Sequence, residues 1–278
     1  MKIILSRKGF DSANGGCASP ILPDETMLSM PIPTNDKLTY SDISYQQKSY
    51  AQYWQELCPR NKECSLIPEK HCHLDPDIRR GIMKNDNTYP GIFGQVGAAQ
   101  THLENQGVAV GDIFLFFGWF RKTGQRRNGT LKFTGPDMHV IYGYLQVGEI
   151  VSGKQVCAYA WHPHAHYSED TNNTMYIASE KLTVNGKKTE LPGYGVLRFD
   201  KKLVLTKEGY SRSKWQLPEC LLNADISYHG KENRIRNETD GKIDYFQSAA
   251  IGQEFVIMDN DAVTQWALEL IQCDSSEN

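Results

Sequence analysis

"VAVGDIFLFFGWFR" (residues 108–121) and "HVIYGYLQVGEIV" (residues 139–151) decide the fold class. Both are crowded with β-branched and aromatic side chains, which pack well on a pleated surface. Glycine and aspartate break them as turn residues break strands. "QVCAYAWHPH" (155–164), "TMYIASEKLTV" (174–184) and "LVLTKE" (203–208) read the same way. No helical period separates these runs, so the expectation is an α+β fold: a curved, mostly antiparallel, β-rich core with flanking helices.

Outward from this core, "KIIL" (2–5) reads as a short buried strand that ends in a polar, glycine-rich loop. Pro20, Pro23, Pro31 and Pro33 make the stretch to about residue 40 extended, because proline lacks the amide donor a helix needs. "SDISYQQKSYAQYWQEL" (41–57) has the polar start and aromatic spacing of an amphipathic helix. A second helix is expected from Gly91 to Leu103, ending near Gly107, and a last one over 261–273.

A length of 278 residues without a clear linker predicts a single domain over 1–278. The net charge of −3 excludes a generally basic nucleic-acid coat, so any phosphate-binding patch must be local. Seven cysteines without a CxxC pair favour free thiols in a reducing cytoplasm. The apolar run in "MKIILSRKGF" is too short for a signal segment or a membrane span, so a cytoplasmic protein without a membrane partner is expected.

Five stretches carry chemistry-bearing residues. In the first loop, Arg7, Lys8, Asp11 and Ser12 precede Gly15 and Gly16. Arginine and lysine suit phosphate, and Asp11 is a candidate base or orienting group. The competing reading is a turn in which Asp11 bonds its own backbone. "HCHLDPDI" (71–78) alternates His71, His73, Asp75 and Asp77 along the chain. On a strand all four would share one face, where alternate nitrogen and oxygen donors could bind zinc, iron or manganese with Cys72 pointing away. Pro76 instead makes Asp75 a helix N-cap with "DIRRGI" as a first helical turn, which leaves His71 and His73 as site candidates and Asp77 open.

"WHPHAHY" (161–167) again alternates histidines, at 162, 164 and 166; the spacing can place two imidazoles on one metal, or make His162 and His164 candidates for proton transfer, against the reading of a solvated loop. In "FGWFR" (117–121), Trp119 and Arg121 can stack on a base and meet a phosphate, with Lys122, Arg126 and Arg127 beyond them; core packing of Trp119 is the alternative. "GYSRSKWQLP" (209–218) offers Arg212 and Lys214 among hydroxyls, or a plain polar turn. No residue is assigned as a metal ligand: the cysteines are dispersed and the histidine tracts lack the paired spacing of closed zinc sites, so no tightly bound structural zinc is expected. The motifs of P-loop and dinucleotide-binding proteins, serine hydrolases, zincins and zinc base deaminases are absent, and the sequence names no cofactor.

Taken in order, "SRKGFDSANGGCASPI", "HLDPDI", "GDIFLFFGWFR", "HVIYGYLQVGEI" and "GQEFV" resemble the third of the nucleotide modification associated domain families. This is a bacterial and phage group linked to DNA-modification systems, and the resemblance spans residue 1 to about 256. It implies a nucleotide or DNA as partner, together with partner proteins of a modification system, but no particular reaction. The central strands, about 107–206, are also similar to PUA-like barrels, including the EVE and ASCH groups that bind RNA or modified bases. The leading expectation is an enzyme or enzyme-like component acting on a nucleotide or DNA base. The alternatives are a non-catalytic reader holding a modified base at Trp119 and a structural subunit of a modification or defence complex.

Overall fold

A computed structural model describes residues 1–58, 64–83, 90–167, 172–230, 235–237, 244–248 and 254–272. Eight strands form the main sheet: β1 (Ile3–Arg7), β2 (Ser19–Ile21), β3 (Ile92–Gln95), β4 (Ile113–Gln125), β5 (Leu131–Ser152), β6 (Thr174–Ala178), β7 (Tyr194–Val196) and β8 (Glu254–Ile257). The order across the sheet is β8-β1-β4-β5-β6-β3, with β2 paired to β4 and β7 to β5. All pairs are antiparallel except β1 and β2, which run parallel to β4. The α+β, β-rich architecture is as the strand runs predicted.

The sheet curls until its two edges meet. Gln95 on edge strand β3 donates through Nε2 to Glu254 Oε1 on the opposite edge strand β8, at 2.6 Å. The 22-residue β5 makes this curl possible, since it pairs in succession with β4, β7 and β6. Its inner surface holds one continuous apolar core, which the C-terminal helix covers with Val263, Ala267 and Ile271. A second apolar cluster lies beyond the first loop, where Phe10 and Tyr40 each meet Trp54 edge-on at ring distances of 4.8 and 4.9 Å.

Helix α1 spans only Tyr50–Leu57, not 41–57. Gln46 and Gln47 both take left-handed backbone angles and turn a two-residue hairpin. The helix then starts at Ser49, whose hydroxyl accepts from Gln52 N while the Gln52 side chain accepts from Ser49 N, a reciprocal cap. The helix expected from Gly91 begins as strand β3 and becomes α2 (Gly97–Asn105) only after Gly97, at φ +67°. Helix α3 spans Asp261–Gln272; residue 273 lies outside the described residues. The strand expected at 155–164 is two short 3-10 turns, Gly153–Tyr159 and Pro163–His166, because Pro163 fits a first helical turn and cannot donate to a ladder. At 203–208 a 3-10 turn, Lys201–Leu203, leads into isolated bridges at Val204 and Thr206.

No helix among the described residues is long and apolar enough to cross a membrane. Cys17, Cys58, Cys72, Cys157 and Cys220 are free thiols.

Candidate functional site

The seam between the two sheet edges opens into a cleft of about 390 Å³ lined by Arg7, Lys8, Asp11, His73, Asp75, Gln95, His164 and Tyr167 among others. Three chain segments distant in sequence converge here, each for a local reason.

The segment 71–78 runs beside β3. Asp77 and Ile92 exchange both backbone hydrogen bonds, and two residues further along the same register Asp75 faces Gly94. The ladder stops there, because the Asp75 amide turns back to His73 O at 2.9 Å. The Asp75 carboxylate takes the missing carbonyl's place and accepts Gly94 N at 2.7 Å. This corrects the N-cap reading: Asp75 caps a strand edge, no helix follows Pro76, and the carboxylate is buried at the heart of the cleft. Lys8 Nζ lies 3.7 Å from Asp75 Oδ2 and 3.5 Å from Glu254 Oε1, with Phe93 under it at 4.3 Å.

His164 arrives from the 3-10 turn and presses against β3. A Cβ added at Gly94 would lie 2.2 Å from His164 Cγ, so the residue at 94 must be glycine for the ring to lie there. Asn173 fixes that ring: its Nδ2 donates to His164 O at 2.9 Å, which orients its Oδ1 toward His164 Nδ1 at 2.8 Å. Nδ1 therefore carries the proton, and Nε2 keeps a lone pair. His73 is held alike, with Nδ1 2.8 Å from Asp36 Oδ2. His162 has the other tautomer. Its Nδ1 accepts from His164 N, which leaves the proton on Nε2, 3.5 Å from Asp75 Oδ1.

Burial would raise the Asp75 carboxyl, but His162, Lys8 and His164 together hold it well below the usual carboxylate range. Burial pushes His164 down to about 4 and His162 down as well, so both are neutral at pH 7. Burial also opposes ionisation of Asp36, yet hydrogen bonds from His73 and Thr34 bring it to about 2. Donor atoms of His73, Asp75 and His164 all lie within 4.8 Å of one another, a grouping able to hold a metal ion.

Arg7 also lines a second cleft, of about 620 Å³, with Ser12, His139, Ser211 and Arg212. Arg212 donates to Ser12 Oγ and lies 4.0 Å over the Trp119 ring, whose Nε1 donates to Asp137. The tryptophan face is thereby occupied by a guanidinium. Asp11 follows the turn reading, accepting from Ala13 N and Asn14 N, with Arg7 Nη2 at 3.7 Å.

Of the sequence candidates, Arg7, Lys8, Asp11, His73 and His164 line the first cleft, with His162 behind Asp75; Ser12 and Arg212 line the second. His71 is exposed and bonds Asp36 O, while Asp77 is tied into the strand edge. Arg121 bonds Gly135 O, Lys122 pairs with Glu25 at 3.1 Å, and Lys214 lies over the Tyr245 ring. Arg126 is bound to Leu131 O and Glu56 O and Arg127 is exposed beside it. Since Arg7 is level with Phe117, Arg126, one residue past the end of β4, stands nine residues further along the chain, about 30 Å at ~3.3 Å per residue. The basic residues thus divide between the clefts and the far end of β4.

Sequence reasoning set Asp75 aside as a cap and missed Asp36, Gln95, Asn173 and Glu254. Of these four only Glu254 left a signal: a carboxylate among the apolar residues of "EFVI", buried in the strand.

No curated protein and no solved structure matches the chain. A family model, that of nucleotide modification associated domain 3, matches residues 2–258, and the chain belongs to that family.

Proposed function

We propose that this protein is an enzyme that modifies a nucleotide or a nucleic-acid base, with phosphate held between Arg7 and Arg212 and the reaction carried out at His73, Asp75 and His164. The observation that carries the reading is Arg7: it lines both clefts, so one ligand can span a cationic, hydroxyl-rich subsite and a cluster of titratable groups. A reader of modified bases needs an open aromatic surface instead, and Trp119 is covered by Arg212. The family to which the chain belongs is associated with nucleotide modification, in keeping with such a ligand.

Within the site the roles divide by protonation. Asp75, held ionised, stabilises positive charge rather than accepting a proton. The unprotonated Nε2 atoms of His73 and His164 are the electron-pair donors beside it, so each imidazole enters the reaction through a lone pair rather than by releasing a proton. Lys8 and Arg7 supply fixed positive charge to an anionic substrate.

The test is calorimetric titration with deoxynucleoside mono- and triphosphates and a short single-stranded DNA, followed by mass analysis of the incubated ligand. Binding that drops at least tenfold in Arg7→Ala and Arg212→Ala, and a product mass lost in His164→Ala, are the expected results. Nucleotide binding untouched by both arginine variants, or no binding at low salt, overturns the proposal.

A further inference from the structure

We propose that His73, Asp75 and His164 bind one divalent first-row transition-metal ion, as two imidazole nitrogens and one carboxylate that leave the cleft-facing positions open. The inference deepens the reading of this cleft as an active site, and its test uses metal without nucleotide, so either can fail alone.

The argument rests on which lone pairs face one another. A histidine ligand must present an unprotonated ring nitrogen, and its other nitrogen is normally fixed by a carboxylate or carbonyl. His73 meets this with Asp36 on Nδ1, and His164 meets it with the Asn173 amide on Nδ1, so in both the nitrogen left over is Nε2. Each arrangement satisfies one ring nitrogen and leaves the other unprotonated, and the two are built from different parts of the chain. Asp36 is itself held by Thr34 Oγ1 at 2.6 Å and by Tyr167 OH at 3.3 Å.

His162 is excluded as a ligand by the same reasoning. Its Nδ1 lone pair is used by His164 N, and its Nε2–H points at Asp75 Oδ1. Among the described residues that nitrogen makes no hydrogen bond, and at 3.5 Å it is a donor waiting for a small shift of the carboxylate. Ligands at roughly 2.0–2.2 Å from an ion stand about 3–3.4 Å from one another, so three donors already within 4.8 Å need close by no more than about 1–2 Å to hold one.

Two imidazoles disfavour Mg²⁺ and Ca²⁺, which take oxygen ligands, and the absence of thiolate separates the site from closed structural zinc. Fe²⁺, Mn²⁺ and Zn²⁺ fit a nitrogen- and oxygen-donor site with open positions. Spacing hides it in the sequence: positions 73, 75 and 164 fall in no paired motif.

The experiment is titration of chelator-treated full-length protein with Co²⁺, read by visible absorption, and with Zn²⁺, read by calorimetry. One equivalent is expected, unaffected by a tenfold excess of Mg²⁺. His164→Ala and His73→Ala should each weaken it by more than about 100-fold, since loss of an outer partner alone costs about 10–100-fold. Asp36→Asn, which leaves all three ligands in place, should fall in that 10- to 100-fold range and guards against a ligand variant that does not fold. His166→Ala, in the tract of His164 but exposed, should leave affinity unchanged. Failure of the folded protein to bind Co²⁺ and Zn²⁺, one equivalent retained after the His73 and His164 substitutions, or loss caused by His166→Ala overturns the site.

Discussion

Gly94→Ala is the sharpest perturbation of this architecture, because it adds one methyl group at the contact between strand β3 and the His164 ring. The new Cβ would lie 2.2, 2.3 and 2.8 Å from His164 Cγ, Cδ2 and Cβ, where ordinary contact begins at 3.4 Å. The ring must therefore shift by about an ångström, which disturbs its 2.8 Å hydrogen bond with Asn173 Oδ1. Overpacking of this kind costs about 1–3 kcal/mol, and weakening the buried hydrogen bond adds about 0.5–1.5 kcal/mol. Against this, alanine lowers the entropy of the unfolded chain and returns about 0.4–1 kcal/mol. The net loss is about 2–3 kcal/mol, a fall in melting temperature of roughly 3–6 °C for a chain of this size. The assay is chemical denaturation of a double-mutant cycle with His164→Gly, which removes the Cβ as well as the ring. In that background Gly94→Ala should cost less than about 0.5 kcal/mol, giving a coupling on the order of 2 kcal/mol. Equal destabilisation in both backgrounds would refute the packing of His164 on β3, and with it the cleft geometry.

His139 is buried and accepts from Trp215 Nε1 at 3.0 Å, and burial with Arg7 and Arg212 nearby lowers it to about 3. A histidine depressed in the fold contributes stability above its unfolded value near 6.5, and that stability is lost as pH falls toward 3, by up to about 1.4 kcal/mol per pH unit. NMR titration should find His139 neutral at pH 5; a midpoint near 6.5 contradicts the burial argument. Arg126→Ala removes the bonds to Leu131 O and Glu56 O, and should cost about 1–2 kcal/mol while leaving nucleotide affinity within about twofold. A tenfold loss would mean that the far end of β4 belongs to the ligand surface after all. Ser49→Ala breaks the reciprocal cap of α1 and should cost about 1 kcal/mol in denaturant melts; no change there would mean that the tertiary contacts of Tyr50 and Trp54 hold the first turn without it.

The sheet was legible because its signal is local. "IFLFFGWF" carries strand propensity at nearly every position, and most of its side chains are buried, so neighbours reinforce one reading. "QVCAYAWHPH" has similar composition but forms turns, since Pro163 breaks the ladder and tertiary placement of His164 against Gly94 overrides propensity. The helix at 41–57 was overextended for a comparable reason: the aromatic spacing continues through residues 44–49, and only the paired left-handed glutamines mark the hairpin. Individual site residues could be named from their chemistry, as His73 and His164 were. Their assembly could not, because it depends on which sheet edges meet.

That dependence explains why the site lies at the seam. A curled sheet that does not fully close has two edges with unpaired backbone groups, and these must be covered or paired. Here the edges are joined by polar side chains: Gln95 to Glu254 across the gap, Asp75 to Gly94 N along β3, and Lys8 between the two carboxylates. The charges that satisfy the edge are buried, since Asp75 and Glu254 are 9% and 4% exposed, and buried charge persists only where partners fix it. A hydrophobic seal of the same gap would serve stability at least as well. Filling it instead with a lysine, two carboxylates and histidines of defined tautomer leaves a preorganised polar cleft, and Arg7, the last residue of β1 and the neighbour of Lys8, extends it toward Arg212. The same contacts that finish the fold therefore set the positions of the reacting groups, so a substitution at the seam should move stability and ligand binding together, whereas one at the far end of β4 should move stability alone.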